Sequence, residues 1–260
     1  MMRKNILIII VACCLTGLMW SCSKSSDNTA ATIGTDGYAF LKVSQFAPNF
    51  RGVFNNRDSF NVYVNNAKFT GAYLTFNSTY PTVSNLYATV PAGASTIKLL
   101  VVGTTGLDSV VVATLNKTFT AGGYYSLLIT DSILNVSDSK QIFVQDNFVR
   151  SDTTHYTIRF AHTILSDTAG KTVDVYSNRL KTNIFSNISP GTVTPFVAEP
   201  YNFISDTLIV RRSGTNFELA RVPTVATPLA RERAYTLSYK GLPATTTGTK
   251  ARSLVYYPNQ

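Results

Sequence analysis

Two tandem antiparallel, immunoglobulin-like β-sandwiches, an all-β fold, are what this sequence predicts, and three observations predict them. Aromatic residues make up 12% of the chain against only 14% charged, and Val, Thr, Ser, Tyr and Phe are prominent, the residues that suit a pleated surface. Strand-length runs of alternating apolar and polar residues recur between Gly, Pro, Asn and Asp, whereas a helical period is hard to find. The chain also repeats itself at an offset near 110 residues, which is the size of one sandwich.

The elements follow in chain order. Arg3 and Lys4 precede an apolar stretch from Ile6 to Trp20, and a polar tract runs from Ser21 to Thr32. This is the profile of a signal peptide over residues 1–21, and the stretch falls short of the roughly 20 residues of a membrane-spanning helix. Ser21 before Cys22 is the small residue that lipoprotein processing requires. "SCSK" resembles the processing sites of Bacteroidota lipoproteins, although Met19 and Trp20 depart from the usual pattern. Cys13 fits that pattern by letter but would leave an apolar region of only about seven residues before it. The chain has three cysteines, Cys13, Cys14 and Cys22. Processing removes two and acylates the third, leaving no thiol for a disulfide or a metal. Residues 22–37 then read as a polar tether. The expected home is the outer membrane, with the surface and periplasmic faces both open, since Asp27 alone supplies the acidity associated with surface export.

Beyond the tether, "FNVYVNN" (60–66), "STIKLLVVG" (95–103), "VVVATLNKTF" (110–119), "YYSLLITD" (124–131) and "KQIFVQD" (140–146) read as strands. "YAFLKVSQFAP" from Tyr38 is echoed by "YTIRFAHTIL" from Tyr156, and "DSFNVYVNN" by "KTVDVYSNR". Later runs keep step: Tyr63 to Tyr176 is 113 positions, Gly103 to Gly214 is 111, and Tyr125 to Tyr235 is 110. Two domains follow, residues 38–149 and 150–260, joined in "NFVRSDTTH" by a junction short enough that they should touch with limited swing. Alternation points Val62, Val64, Val173 and Val175 inward and Asp174 outward.

"VSQFAP...FNVYVNN", "ATVPAGASTIKLLVVG" and "FTAGGYYSLLITD" together resemble domain of unknown function 4397 (DUF4397). Its repeats run as a strand ending near Ala-Pro, then Val-Asp-Val-Tyr, Val-Pro-Ala-Gly and Ala-Gly-x-x-Tyr. The second copy keeps "RFAH" and "VDVY" but has "AEPYNF" in place of "VPAG". The resemblance covers nearly all of residues 38–257 and implies cell-surface, often tandem β-sandwich modules without an assigned activity. It brings no functional residues.

Catalytic constellations are missing from the sequence. The two histidines, His155 and His162, have no cysteine partner or acidic cluster beside them, and zinc needs three or four convergent ligands. His162 reads as a packed strand-end residue and His155 as a linker residue. A glycosidase pair would need Asp174, Glu199 or Asp206 to converge. Nucleophile-elbow, P-loop and dinucleotide-binding patterns are all absent. No cofactor is expected, no metal, and no enzyme.

Charge gives the one global pointer to a partner. Residues 22–149 carry eight Lys and Arg against seven acids, whereas residues 150–260 carry thirteen against seven, a net +1 against +6. Arg211, Arg212, Arg231 and Arg233 are therefore the candidates for binding an anionic glycan, lipopolysaccharide phosphate or acidic surface protein. No recognition module directs that charge to nucleic acid. Tyr73, Phe76, Tyr80 and Tyr87, in the loop-rich stretch 71–90, are candidates for aromatic contact with sugar or protein. The leading function is a non-catalytic envelope lipoprotein for surface binding, adhesion or an envelope structural role. A fimbrillin-like pilus subunit, exchanging the terminal strand "RSLVYYPNQ", is the alternative. A carbohydrate-active enzyme ranks third. Membrane attachment is tested at Cys22: the Cys22→Ala chain should leave the membrane fraction and incorporate no labelled fatty acid, and labelling that persists would refute acylation there.

Overall fold

The computed structural model describes residues 36–50, 59–82, 86–102, 108–130, 140–148, 151–167, 171–223 and 229–259. The signal peptide, Cys22 and all of the tether but its last two residues lie outside them. In the first half, β1 (Tyr38–Gln45), β2 (Ser59–Val64), β3 (Ala67–Lys68), β4 (Leu74–Thr75), β5 (Thr79–Tyr80), β6 (Ala88–Pro91), β7 (Gly93–Val102), β8 (Asp108–Phe119), β9 (Tyr124–Ile129) and β10 (Ile142–Gln145) follow in order. The second half adds β11 (His155–His162), β12 (Val173–Ser177), β13 (Thr182–Ile188), β14 (Val197–Pro200), β15 (Thr207–Arg212), β16 (Glu218–Pro223), β17 (Ala234–Lys240) and β18 (Ser253–Pro258).

Alternation builds these strands as expected. Along β7, Ser95, Ile97, Leu99 and Val101 are buried, while the residues between them are partly exposed. Val62 and Val64 enter the first core, and Val173 and Val175 the second. Each half is a two-sheet sandwich. One sheet of the first half runs β10-β9-β1, with β5 and β6 on the far edge of β1; the other runs β3-β2-β7-β8, with β4 also on β2. The second half repeats the plan as β14-β11-β17-β18 and β13-β12-β15-β16.

The all-β sandwich class is the one the sequence predicts, with two refinements. Each half contains a parallel pair, β1 with β9 and β11 with β17, among otherwise antiparallel neighbours. The strand order also differs from the ABED and CFG sheets of an immunoglobulin constant domain, because the first strand joins the last two rather than the second. Both halves belong to one compact unit, Asp36–Gln260.

Pairing also corrects the register of the repeat. Tyr38 lies opposite Pro91 and His155 opposite Pro200, while Lys42 lies opposite Ser126 and Arg159 opposite Thr236. The counterpart of Tyr38 is therefore His155 rather than Tyr156, and Lys42 corresponds to Arg159. A one-residue slip reverses every face of a strand, so this shift decides which side chains meet.

The "AGGYY" segment shows what the repeat preserves. Tyr125 Oη accepts a hydrogen bond from Thr120 N at 2.9 Å, and Tyr235 Oη accepts one from Ala230 N at 2.8 Å, each locking the turn five residues upstream. That turn needs a left-handed residue, supplied by Gly122 (φ 73°) in the first copy and by Glu232 (φ 60°) in the second. A side chain there clashes with its own backbone, which glycine avoids. Crossed substitutions should have opposite signs: Gly122→Ala should destabilise and Glu232→Gly stabilise, each by about 1 kcal/mol in urea unfolding.

Candidate functional site

The strands β1, β11 and β17 are buried almost throughout, on both faces. One face of each meets its own core and the other meets the opposite half. Across that junction the apolar contacts are few: Phe46, Leu128 and Ala161 form a small cluster bordered by Ile142, Val193, Val255 and Tyr257. The rest is polar. Arg159 Nη2 lies 2.6 Å from Asp146 Oδ1 in an ion pair whose side chains are 2% and 0% exposed. Tyr87 Oη and Ser126 Oγ each donate to Asp146 Oδ2 at 2.6 Å. Arg159 also donates to Thr236 Oγ1 and Ser126 Oγ. Asn259 accepts from Thr236 Oγ1 at 2.6 Å and donates to Tyr87 Oη at 2.8 Å.

Lys42 completes the set from the first half, donating to the carbonyl oxygen of Pro258 at 2.8 Å with its ammonium 4.7 Å from the Tyr87 ring centre. Burial pulls its pKa down to about 8; Asp146 opposes that shift and Arg159 adds to it. A chain of rings borders this network. Phe40 stacks on Tyr124 at 4.6 Å, Tyr87 meets Tyr124 edge-on at 5.1 Å, and Phe148 reaches Phe196 of the second half at 6.2 Å.

A cleft of about 380 Å³ opens beside these rings, lined by Asn147, Ser151, Asp152, His155, Thr157, Phe196 and Ala198. The Arg159 guanidinium lies 4.6 Å from the centre of the Phe196 ring. The Asp152 carboxylate accepts from Thr154 Oγ1 at 2.7 Å and lies 2.8 Å from His155 Nδ1. Those contacts hold its carboxyl well below the usual range. One aromatic face among amide, hydroxyl and carboxylate groups can take a ligand with an apolar side and polar edges.

The structure scatters the residues singled out from the sequence. Arg211 and Arg212 lie where β15 meets the start of β12, opposite Asp174 and Val173, while Arg231 and Arg233 precede β17 at the end where β11 begins. The two arginine pairs sit at opposite ends of one sandwich and form no common patch. The Arg211 guanidinium packs 3.5 Å from the centre of the Tyr176 ring, and that of Arg212 lies 4.9 Å from Phe217.

The four aromatic candidates also separate. Tyr73 is exposed, Tyr80 packs edge-on against Phe69 beside the first core, Phe76 lies under Lys240 of the second half at 4.5 Å, and Tyr87 belongs to the junction. Asp174 faces away from the core as alternation predicts, but neighbouring turns cover it. It is 6% exposed and accepts hydrogen bonds from Asn187 N, Ser213 Oγ, Gly214 N and Asn183 Nδ2. Burial would raise its pKa, but those donors outweigh burial and lower it. Asp206 binds Ser177 and the backbone of Arg179 at the far end of β12, beside Glu199, so Asp174 stands apart from both. His155 opens β11 rather than sitting in a linker. Among the described residues no group of three or more His, Cys, Asp and Glu is placed to hold a metal ion, and no helix is long and apolar enough to cross a membrane.

The sequence reading passed over the two junction residues at its centre, Asp146 and Arg159. Their local signal was weak: Arg159 interrupts the largely apolar strand β11, and Asp146 follows directly on β10 among polar neighbours.

No protein-family profile matches the chain, and no curated protein does. Among solved structures it is similar to a candidate polysaccharide-binding protein (DUF1812) from Bacteroides thetaiotaomicron VPI-5482. That match has 10% identity and a TM-score of 0.23, over 79% of this chain and 92% of that one. It is also similar to the multi-modular glycogen-degrading pneumococcal virulence factor SpuA, at 8% identity and a TM-score of 0.21 over 78% of this chain. The chain spans 21% of that protein's length. Likeness at this level bears on neither ligand nor activity.

His162 supplies a measurable consequence of the packing. It is fully buried, 5.1 Å from Tyr239 between ring centres, and burial pulls its pKa down to about 4, with Arg252 adding to the shift. The unfolded chain takes up a proton near pH 6.5 and the folded chain only near 4, so stability falls as pH drops through that window. Urea unfolding should lose on the order of 3 kcal/mol between pH 7 and pH 4 from this residue. In the His162→Gln variant the same interval should be flatter, and an unchanged slope would assign it elsewhere.

Proposed function

We propose that this chain is a non-catalytic, lipid-anchored outer-membrane protein of the DUF4397 type whose junction cleft takes a sugar ring of an uncharged glycan. The observation that carries the reading is Phe196, which lines the cleft with its ring among hydrogen-bonding groups from both sides of the junction. A pyranose has an apolar face that stacks on an aromatic ring, and its equatorial hydroxyls pair with groups around the rim. Asn147 from the first half and Thr157 from β11 offer such groups, and the Asp152 carboxylate is already ionised to accept. An exposed carboxylate in the wall disfavours an acidic sugar at this point.

The pilus reading gains less support. β18 is an edge strand, paired only with β17. Its Tyr257 packs in the junction, the Pro258 carbonyl holds Lys42, and Asn259 follows directly into the buried network. Displacing this strand for exchange would unpair those groups in the interior, a cost that an exchangeable strand avoids.

Affinity gel electrophoresis on a panel of glucan, mannan and galactan polysaccharides tests the reading. At least one should retard the protein, and Phe196→Ala should weaken that retention at least roughly tenfold, with Asn147→Ala weakening it less. If no polysaccharide in the panel retards the protein, or if Phe196→Ala binds like the parent, the cleft is not a glycan site.

A further inference from the structure

The loop between β14 and β15 exposes apolar side chains that a chain of this size has no folding reason to expose. Phe203 is 87% exposed and Ile204 68%, while Tyr201 meets Phe203 edge-on at 5.1 Å, so the apolar tip is a small built cluster. One basic turn flanks it. Ile204, Arg179 and Leu229 line a common crevice, and Tyr201 and Arg233 both lie close enough to Tyr235 to act on its hydroxyl. The exposed cations beside the tip are thus Arg233 and its near neighbour Arg231, in the turn before β17, while Arg179 at the edge of the crevice donates to the Pro200 carbonyl.

The acids here are Asp206, buried and bonded to Ser177 and the Arg179 amide, Glu199 on β14, which faces Arg179 and Asp206, and Glu232, which is half-buried. Asp152 on the neighbouring segment is exposed and ionised, with its carboxylate bonded to Thr154 and His155.

We propose that this end of the second half docks on an anionic bilayer surface, with Phe203 and Ile204 entering the headgroup layer and the flanking cations facing lipid phosphates. Two or three apolar side chains are too few for a stable protein interface, which needs roughly 1,000 Å² of buried surface, whereas shallow insertion into lipid needs no more than that. Cations beside such a wedge gain from the negative surface potential, and their attraction falls away within a Debye length.

The position of the start of β1 agrees with this orientation if the chain is anchored at Cys22 as proposed above. Leu128 packs with Ala161, and Arg159 reaches Ser126, so β9 and β11 advance in the same direction; β1 is parallel to β9. Tyr38, 54% exposed at the start of β1, therefore lies towards the same end as the tip, and whatever precedes it leaves from that end. The inference does not require acylation of Cys22 or a glycan in the cleft.

The test uses residues 36–260, which contain all four sheets and every buried cluster, and so carry no acyl chain. Flotation with vesicles of phosphatidylglycerol and phosphatidylethanolamine should recover the protein, and vesicles of phosphatidylcholine should recover much less. The double variant Phe203→Ser/Ile204→Ser should lose binding to anionic vesicles at least roughly tenfold, and Arg231→Gln/Arg233→Gln should lose a similar factor and most of the salt dependence. These residues are exposed, so thermal melting should stay at the parent value. Three results would overturn the proposal: no binding to anionic vesicles, equal binding by the tip variant, or a tip variant that instead shifts the protein from dimer to monomer in sedimentation, which would make a second copy the occupant.

Discussion

The ion pair between Asp146 and Arg159 is the constraint on which the arrangement of the two halves depends. Each charge is almost wholly removed from water, and an unpaired charge in such a place is tolerated only with a large loss of stability. Asp146 belongs to the end of the first half and Arg159 to the second strand-paired half. Sliding or rotating one sandwich on the other breaks this pair together with the bonds that cross with it, from Arg159 to Ser126 and from Asn259 to Tyr87 and Asp146, while Tyr87 and Ser126 hold the carboxylate from its own half. Removing one partner of a buried pair costs about 3–5 kcal/mol, although replacing both by apolar groups is often neutral. The pair is better understood as fixing how the halves meet than as the source of their stability, which lies in the two apolar cores.

This junction also explains what the sequence reveals and what it hides. The strands, their inward valines and the twofold repeat were legible, because period-two alternation and turn residues are local signals. The faces of β1, β9, β11 and β17 were misleading for the same reason. Lys42, Ser44, Ser126, Thr157, Arg159, Thr236, Ser238 and Lys240 alternate with apolar neighbours as residues of a wet face do, yet all are buried. Only the packing of one sandwich on the other distinguishes a polar face turned to water from one turned to a partner. No single strand carries that information.

The same limit applies to the candidate site. Arg211 and Arg233 look alike in sequence, each within two residues of another arginine, but a strand's length separates them because β15 and β17 belong to different sheets and approach from opposite ends. Tyr87 looks like a loop aromatic and is a donor in the buried network. The cleft lined by Phe196 draws on residues some 50 positions apart, from Asn147 to Ala198, and chain proximity gives no hint of it. By contrast, the charge excess of the second half was read correctly as a count, and its meaning depends on which cations share a surface.

The corrected register gives the junction an internal logic. Lys42 and Arg159 occupy equivalent places, as do Ser126 and Thr236, each pair standing opposite the other in its own half. Asp146 N bonds the carbonyl of Tyr124 and Asn259 N that of Ala234, which makes Asp146 and Asn259 equivalent too. The halves therefore meet through the same face of each copy, as subunits do across a twofold interface, where residue i of one touches residue j of the other. Strict symmetry would place two cations and two carboxylates at the centre, with the two carboxylates close enough to repel. The second copy has an amide instead, which donates to Tyr87 and accepts from Thr236, so the network closes around one carboxylate. The consequence falls on Lys42: burial pulls its pKa down to about 8, and Asp146, held by Arg159 at 2.6 Å, offsets this only in part while Arg159 adds to the shift. Divergence between the copies at this one position exchanges a carboxylate repulsion for a lysine that is less firmly charged, and it leaves the guanidinium, whose planar fork suits a buried carboxylate, as the partner that joins the halves.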